Sequence, residues 1–168
     1  MLAAVDLEVL RAALDSADPA RAVLAMLLAS HAVRIYQLCA LRLIGLRDGR
    51  LHVGGQVILL AGPAWQRLTC YLDFRQQTWP DSVNPYLFLH VLHAGASRHV
   101  TPQWIRKQLG MSGQRIRLDR IFDEAQATGG GLRSLCDLFG LSADGAHQYA
   151  SVLDRGDYVY LSEPRELS

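Results

Sequence analysis

Apolar residues in the first third of the chain recur at helical spacing. Leu7, Leu10, Ala13 and Leu14 share one face and Asp6 stands ready to cap, which predicts a helix over Leu7–Leu14. Asp18-Pro19 is an N-cap followed by proline at the first helical position. Val23, Leu24, Leu27 and Leu28 then continue a second helix to near Ala32. A third helix carries Ile35, Leu38 and Cys39. After it the period shortens from helical to alternating. Leu51-His52-Val53 and Gln56 to Leu60 are predicted as two short strands joined by a Gly54-Gly55 hairpin turn, with Val57 and Ile58 suited to the second.

Pro63 opens a helix whose inner face is expected to hold Trp65, Leu68, Leu72 and Phe74. Trp79-Pro80 and Asn84-Pro85 bound a loop, and the apolar run Tyr86 to Val91 is expected to be a buried strand that turns at Ala94 to His99. Thr101-Pro102 starts a helix with Trp104, Ile105 and Leu109. Ser112 starts another with Ile116, Ile121, Phe122 and Ala125, which Thr128 and the glycines Gly129 to Gly131 break. Two short helices, Leu132–Phe139 and Ala143–Leu153, join at Gly140-Leu141-Ser142. The pattern adds up to an α+β fold, mostly helical, with a small antiparallel sheet.

Composition narrows the function classes. A chain of 168 residues, half of them apolar and a fifth charged, suits one globular domain that buries its core without disulfides or metals. Asp6, Glu8 and Arg11 exclude a signal peptide at the start, and the longest apolar run, Ala22 to Ala29, is too short to span a bilayer. A cytoplasmic protein with no membrane role is expected. Cys39, Cys70 and Cys136 lack any CxxC spacing and are expected to be small buried hydrophobes in a reducing compartment. His90 and His93 would face opposite sides of a strand and turn, and His31, His52, His99 and His147 are scattered, so neither a metal nor a cofactor is expected. The net charge of +1 means that any nucleic-acid surface must be local. Arg106, Lys107, Arg115, Arg117 and Arg120 make the densest basic patch. Lys107 is the only lysine, an arginine bias whose simplest source is a GC-rich genome.

Several ordered segments carry a resemblance. His31-Ala32-Val33-Arg34-Ile35-Tyr36-Gln37-Leu38 resembles a Gly-Leu-Arg-x-x-Glu-Leu motif. Gln114-Arg115-Ile116-Arg117 stands in the place of a His-x-x-Arg box, and Leu138-Phe139-Gly140-Leu141-Ser142 in that of a Leu-Gly-His-Ser element. Tyr149 follows eight residues after Leu141. In this order the segments resemble the catalytic domain of tyrosine recombinases, the phage integrase family. Arg117 to Gly130 also resembles integrase-like proteins of GC-rich bacteria. The resemblance implies such a domain over residues 1–155, followed by a tail over 156–168. It implies DNA as partner, with a second recombinase or further copies of the chain on that DNA. The chain is expected to lack the family's N-terminal clamp and so to bind DNA with modest, salt-sensitive affinity.

The family's chemistry sets what a working site needs. Tyrosine attacks a phosphodiester and forms a phosphotyrosyl bond, while two arginine forks hold the non-bridging oxygens. By the resemblance Arg34, Arg117 and Tyr149 are the catalytic residues; Arg106, Lys107, Arg115 and Arg120 are expected to bind DNA as a local basic patch, whichever reading holds. The family's histidines become Gln114 and Leu141, its glutamate becomes Gln37, and its hairpin lysine is missing from Gly54-Gly55-Gln56. Loss of one general acid alone lowers rates by ~10²–10⁴. The expectation is therefore a mobile-element recombinase-like DNA-binding protein with impaired or absent catalysis. Simpler roles compete at each residue. Arg34 can be structural, paired with Asp48 or a carbonyl, Arg117 can belong to a solvated helix face, and Tyr149 can be a core residue. Two other functions stand beside it: a non-catalytic regulator reading DNA through Leu132–Leu153 as a helix-turn-helix, and a protein-interaction module.

Overall fold

The computed structural model describes residues 5–60, 62–129 and 131–154, with 149 and 152–154 described for backbone only; the expected tail lies outside the described residues. In chain order the elements are α1 (Leu7–Leu14), α2 (Pro19–His31), α3 (Ile35–Cys39), a 3₁₀ turn (Leu43–Gly45), β1 (Leu46–Arg47), β2 (Arg50–Val53), β3 (Gln56–Leu59), α4 (Pro63–Thr78), α5 (Pro102–Leu109), α6 (Gly113–Ala127), α7 (Leu132–Phe139) and α8 (Ala143–Asp154). The expected caps form: Asp6 accepts from the Glu8 and Val9 amides, and Asp18 from that of Ala20. The axis of the molecule is α2, buried on every side from Ala22 to Leu28. Around it pack α1, α4, α5 and α6.

The three strands form one antiparallel sheet in the order β1-β2-β3, with Leu51 opposite Ile58 and Val53 opposite Gln56. Gly54 and Gly55 both have positive φ, as the tight turn between such strands demands. Strand β1 was not expected, since two residues are too few to show alternation. Asp48-Gly49, whose φ values are also positive, was its visible signal.

Two expectations fail in α4 and in the segment that follows. The inner face of α4 is Leu68, Tyr71 and Arg75, whereas Trp65 and Phe74 are 38% and 36% exposed. Tyr86 to Val91 makes no strand and pairs only through one bridge, Tyr86 to Arg42. Side chains of α4 do the work of a ladder here. The buried Arg75 guanidinium donates to the carbonyls of Asn84 (2.8 Å), Tyr86 (3.0 Å) and Leu87 (3.2 Å). The Tyr71 hydroxyl donates to Leu87 O and accepts from Leu89 N. Buried Asn84 in turn donates to the carbonyls of His93, Ala96 and Arg98 and accepts from Tyr86 N. Burial lowers the proton affinity of Arg75 and pushes the Tyr71 hydroxyl up to about 12, so it stays protonated as a donor. Because no strand forms, His90 and His93 do not face apart: their rings meet edge to face at 5.8 Å.

A second, smaller core lies between α6, α7 and α8: Ile121, Ala125, Leu135, Phe139 and Ala146, closed by Ala32 at the end of α2. Of the cysteines only Cys39 is buried. Cys70 is exposed and Cys136 half-buried, because Cys70 sits on the outer side of α4 and Cys136 at the rim of the small core.

Candidate functional site

Arg34 is the N-cap residue of α3, in extended conformation, and its exposed side chain donates from Nη2 to the Gly140 carbonyl at 3.2 Å. Its partner is thus a carbonyl and not Asp48. Arg117 comes from the middle of α6 and is 5% exposed, with Nε donating to the Ala32 carbonyl at 2.8 Å. That burial rules out a solvated charged face.

Ala32 ends α2 in the left-handed region, φ 49° and ψ 38°, and Val33 N reaches back to Leu27 O. This conformation costs a non-glycine residue roughly 1–2 kcal/mol. The carbonyl it turns out of the helix is the one Arg117 holds. The two arginines therefore converge on one short segment: Arg117 grips residue 32, and Arg34, two residues on, reaches the cap of α7. Each guanidinium has five N–H donors in a fork, and a carbonyl bond takes one.

The hairpin turn meets the same place. Gln37 of α3 lies over Gly54, and Gln56 donates from Nε2 to the Leu138 carbonyl at 3.3 Å. Gln114, in the first turn of α6, lines a 170 Å³ recess with Ile35, Ile105 and Arg106. Leu141 is half-buried against the small core, where an apolar side chain fits and a hydrogen-bond donor would not be needed. Tyr149 is carried by α8, which packs on α6 and α7; its side chain lies outside the described residues.

The basic patch divides. Arg106 and Arg115 line a 520 Å³ recess with Asp6 and Ser112, and Lys107 is exposed on the last turn of α5. Arg117 and Arg120 turn instead to the C-terminal end of α2, where helix carbonyls favour cations. Arg120 reaches Ser30 O at 3.4 Å, pairs with Glu124 at 2.9 Å and lies 5.4 Å over the Phe139 ring. His31 stands at the same helix end, held more neutral than usual by burial and then by Arg120. A more apolar recess of 490 Å³, between the α1–α2 turn and α4, includes none of these residues. Among the described residues no cluster of His, Cys, Asp and Glu could hold a metal ion. No described helix is long and apolar enough to cross a membrane. Sequence reasoning missed Gln56, whose only signal was a long donor placed directly after the Gly-Gly turn, and the carbonyls of α7, for which a sequence carries none.

No family model and no curated protein matches the chain. Solved structures do. The XerA recombinase matches with a TM-score of 0.69 and 20% identity over 93% of this chain. The XerH site-specific recombinase bound to difH substrate, in a pre-cleavage complex, matches at 0.64 and 16% over 92%. The same recombinase on a palindromic difH substrate, post-cleavage, gives 0.62 and 14% over 93%. This chain spans 64%, 51% and 52% of those chains. It has the fold of the tyrosine recombinase catalytic domain, a mostly helical α+β fold with a small antiparallel sheet, as the resemblance implied.

Proposed function

We propose that this protein is a DNA-binding, tyrosine recombinase-like protein of a mobile element whose own strand-transfer chemistry is impaired. One observation carries the reading: two arginines 83 positions apart in sequence are joined through one short segment, Arg117 holding the Ala32 carbonyl while Arg34, two residues on, holds that of Gly140 at the cap that leads into the helix bearing Tyr149. Paired guanidinium forks suit the non-bridging oxygens of a phosphodiester. Arg106, Lys107 and Arg115 add backbone contacts at a separate patch, and Arg120 adds charge at the end of α2. The impairment follows from the residues that stand where the family's proton-transfer groups belong. Gln114 cannot carry a proton, Leu141 can neither donate nor accept, and the hairpin has no lysine. DNA is the partner, shared with a second recombinase or with further copies of this chain.

The helix-turn-helix alternative is weaker. Its second helix exposes Asp144 and His147, and residues 141–154 contain no lysine or arginine to meet phosphate or guanine.

A nicked suicide duplex tests the reading. The expected result is salt-sensitive binding that Arg34→Ala and Arg117→Ala each weaken by roughly ten- to a hundredfold, with a covalent adduct either absent or formed slowly and lost in Tyr149→Phe. Rapid adduct formation would remove the claim of impairment. No binding even at low ionic strength would leave a protein-interaction module on this fold.

A further inference from the structure

Counted by chemistry, Gln56 is a loss, since a carboxamide cannot relay a proton. Its geometry gives it a different task. The side chain lies against the end of α7: Nε2 donates to Leu138 O at 3.3 Å, and a Cβ added to Gly140 would come within 2.9 Å of its Cδ. On the other side of the same turn, Gln37 fills the space over Gly54 so closely that a Cβ there would overlap its Nε2. Gly54 and Gly140 both have positive φ, +48° and +60°, so neither approach is open to a residue with a side chain. The turn is thus wedged between α3 and the C-terminal end of α7.

The last carbonyls of a helix lack partners within it. Here Gln56 takes that of Leu138, and Arg34 takes that of Gly140 just beyond. These two bonds tie the end of α7 to the hairpin and to α3. The chain then passes through residues 141 and 142 into α8, so whatever fixes the end of α7 also fixes where α8 begins.

We propose that Gln56 is the positioning residue of this site: by holding the Leu138 carbonyl it seats the α7–α8 pair, and with it Tyr149, against the hairpin and the arginines. The inference rests on the recombinase-like reading for its purpose, but its test does not.

Hydrogen exchange on the whole chain, followed by mass spectrometry, reads the seating directly. Gln56→Ala is expected to speed exchange across residues 135–148 about fivefold, roughly the factor that one neutral hydrogen bond contributes. The amides of α2 should stay unchanged. Gln56→Lys, which can donate to the same carbonyl, is expected to restore wild-type protection, and Gln56→Glu, which cannot, to leave the region as loose as alanine does. Unaltered exchange in Gln56→Ala overturns the proposal. So does a uniform increase that includes α2, or equal rescue by glutamate and lysine. Adduct formation is not the readout, so a failure of the recombinase-like reading would show in the suicide-substrate experiment and leave this result standing.

Discussion

The two cores of this molecule are built differently. Among the described residues, the large one, around α2, joins twenty-five buried residues from α1 through α6, whereas the small one between α6, α7 and α8 joins six. At about 25 cal/mol per Å² of buried apolar surface, the first is far the stronger. It also fixes its one irregular flank, residues 84–100, with polar anchors that are themselves buried. The small core is tied to the large one by arginine and glutamine bonds to backbone carbonyls, at Ala32, Leu138 and Gly140. Those ties are where the candidate site lies. A group that must meet a ligand sits at a seam, since a side chain locked deep in the large core could reach nothing.

The sharpest test of this contrast is a matched pair of truncations. Leu27 and Leu135 are both fully buried, one in each core. Leu27→Ala is expected to cost roughly 2–5 kcal/mol of global stability, read as a lower midpoint of one urea transition. Leu135→Ala removes the same atoms but should loosen α7 and α8 locally, with faster hydrogen exchange there and little change in α2. Equal global losses would mean that the two cores unfold as one.

The next largest effect probes the polar flank. Arg75→Leu keeps an apolar body but strips three carbonyls of their donor, at a cost of about 2–4 kcal/mol in urea denaturation. Asn84→Ala is expected to fall in the same range. A loss below about 1 kcal/mol for either would show that water replaces the anchors and that the flank is not truly dry.

These anchors mark the limit of what could be read from the chain alone. Helices with caps and strong periodicity, such as Leu7–Leu14 and Leu132–Phe139, were legible to the residue, because the local code and the packing agree. Tyr86–Val91 was misread as a strand because an apolar run looks the same whether its backbone bonds go to a neighbouring strand or to Arg75 and Tyr71. The site was legible in part. The ordered motifs pointed to Arg34 and Arg117, but that Arg117 would be buried while Arg34 stays exposed depends on Ala32 turning left-handed, which no local pattern announces in an alanine. The turn of Arg120 toward Ser30, and its departure from the patch with Arg106, likewise depended on where α2 ends.

That difference between the arginines predicts a split. Arg117→Ala should lower both DNA affinity, by roughly ten- to a hundredfold, and stability, by about 1.5–3 kcal/mol, because it leaves a buried carbonyl unpaired. Arg34→Ala should lower affinity as much and stability by less than about 1 kcal/mol. Arg117→Lys restores charge but not the fork, and should recover little of either. Equal stability losses for Arg34 and Arg117 would erase the distinction between a gripping and a reaching arginine.

The smallest effect expected lies at the seam itself. His31 occupies the last turn of α2, where the helix end alone would favour an imidazolium. Burial outweighs that, and Arg120 opposes it further, so the folded protein holds this ring neutral below its ordinary titration near 6.5. The unfolded chain consequently binds the proton more readily than the folded one. The contribution of His31 to stability is present in full above about pH 6.5 and is lost as the pH falls through the lower folded value. Urea midpoints for wild type and His31→Gln, measured at pH 7.5 and again at pH 5.5, should show the variant losing less on acidification. Arg120→Gln should move the imidazole titration, followed by NMR, back toward 6.5 but not to it, because burial is the larger cause. Full restoration by that one change would place the control in Arg120 and make the seam chiefly electrostatic, whereas partial restoration places it in the packing of α2 against α6.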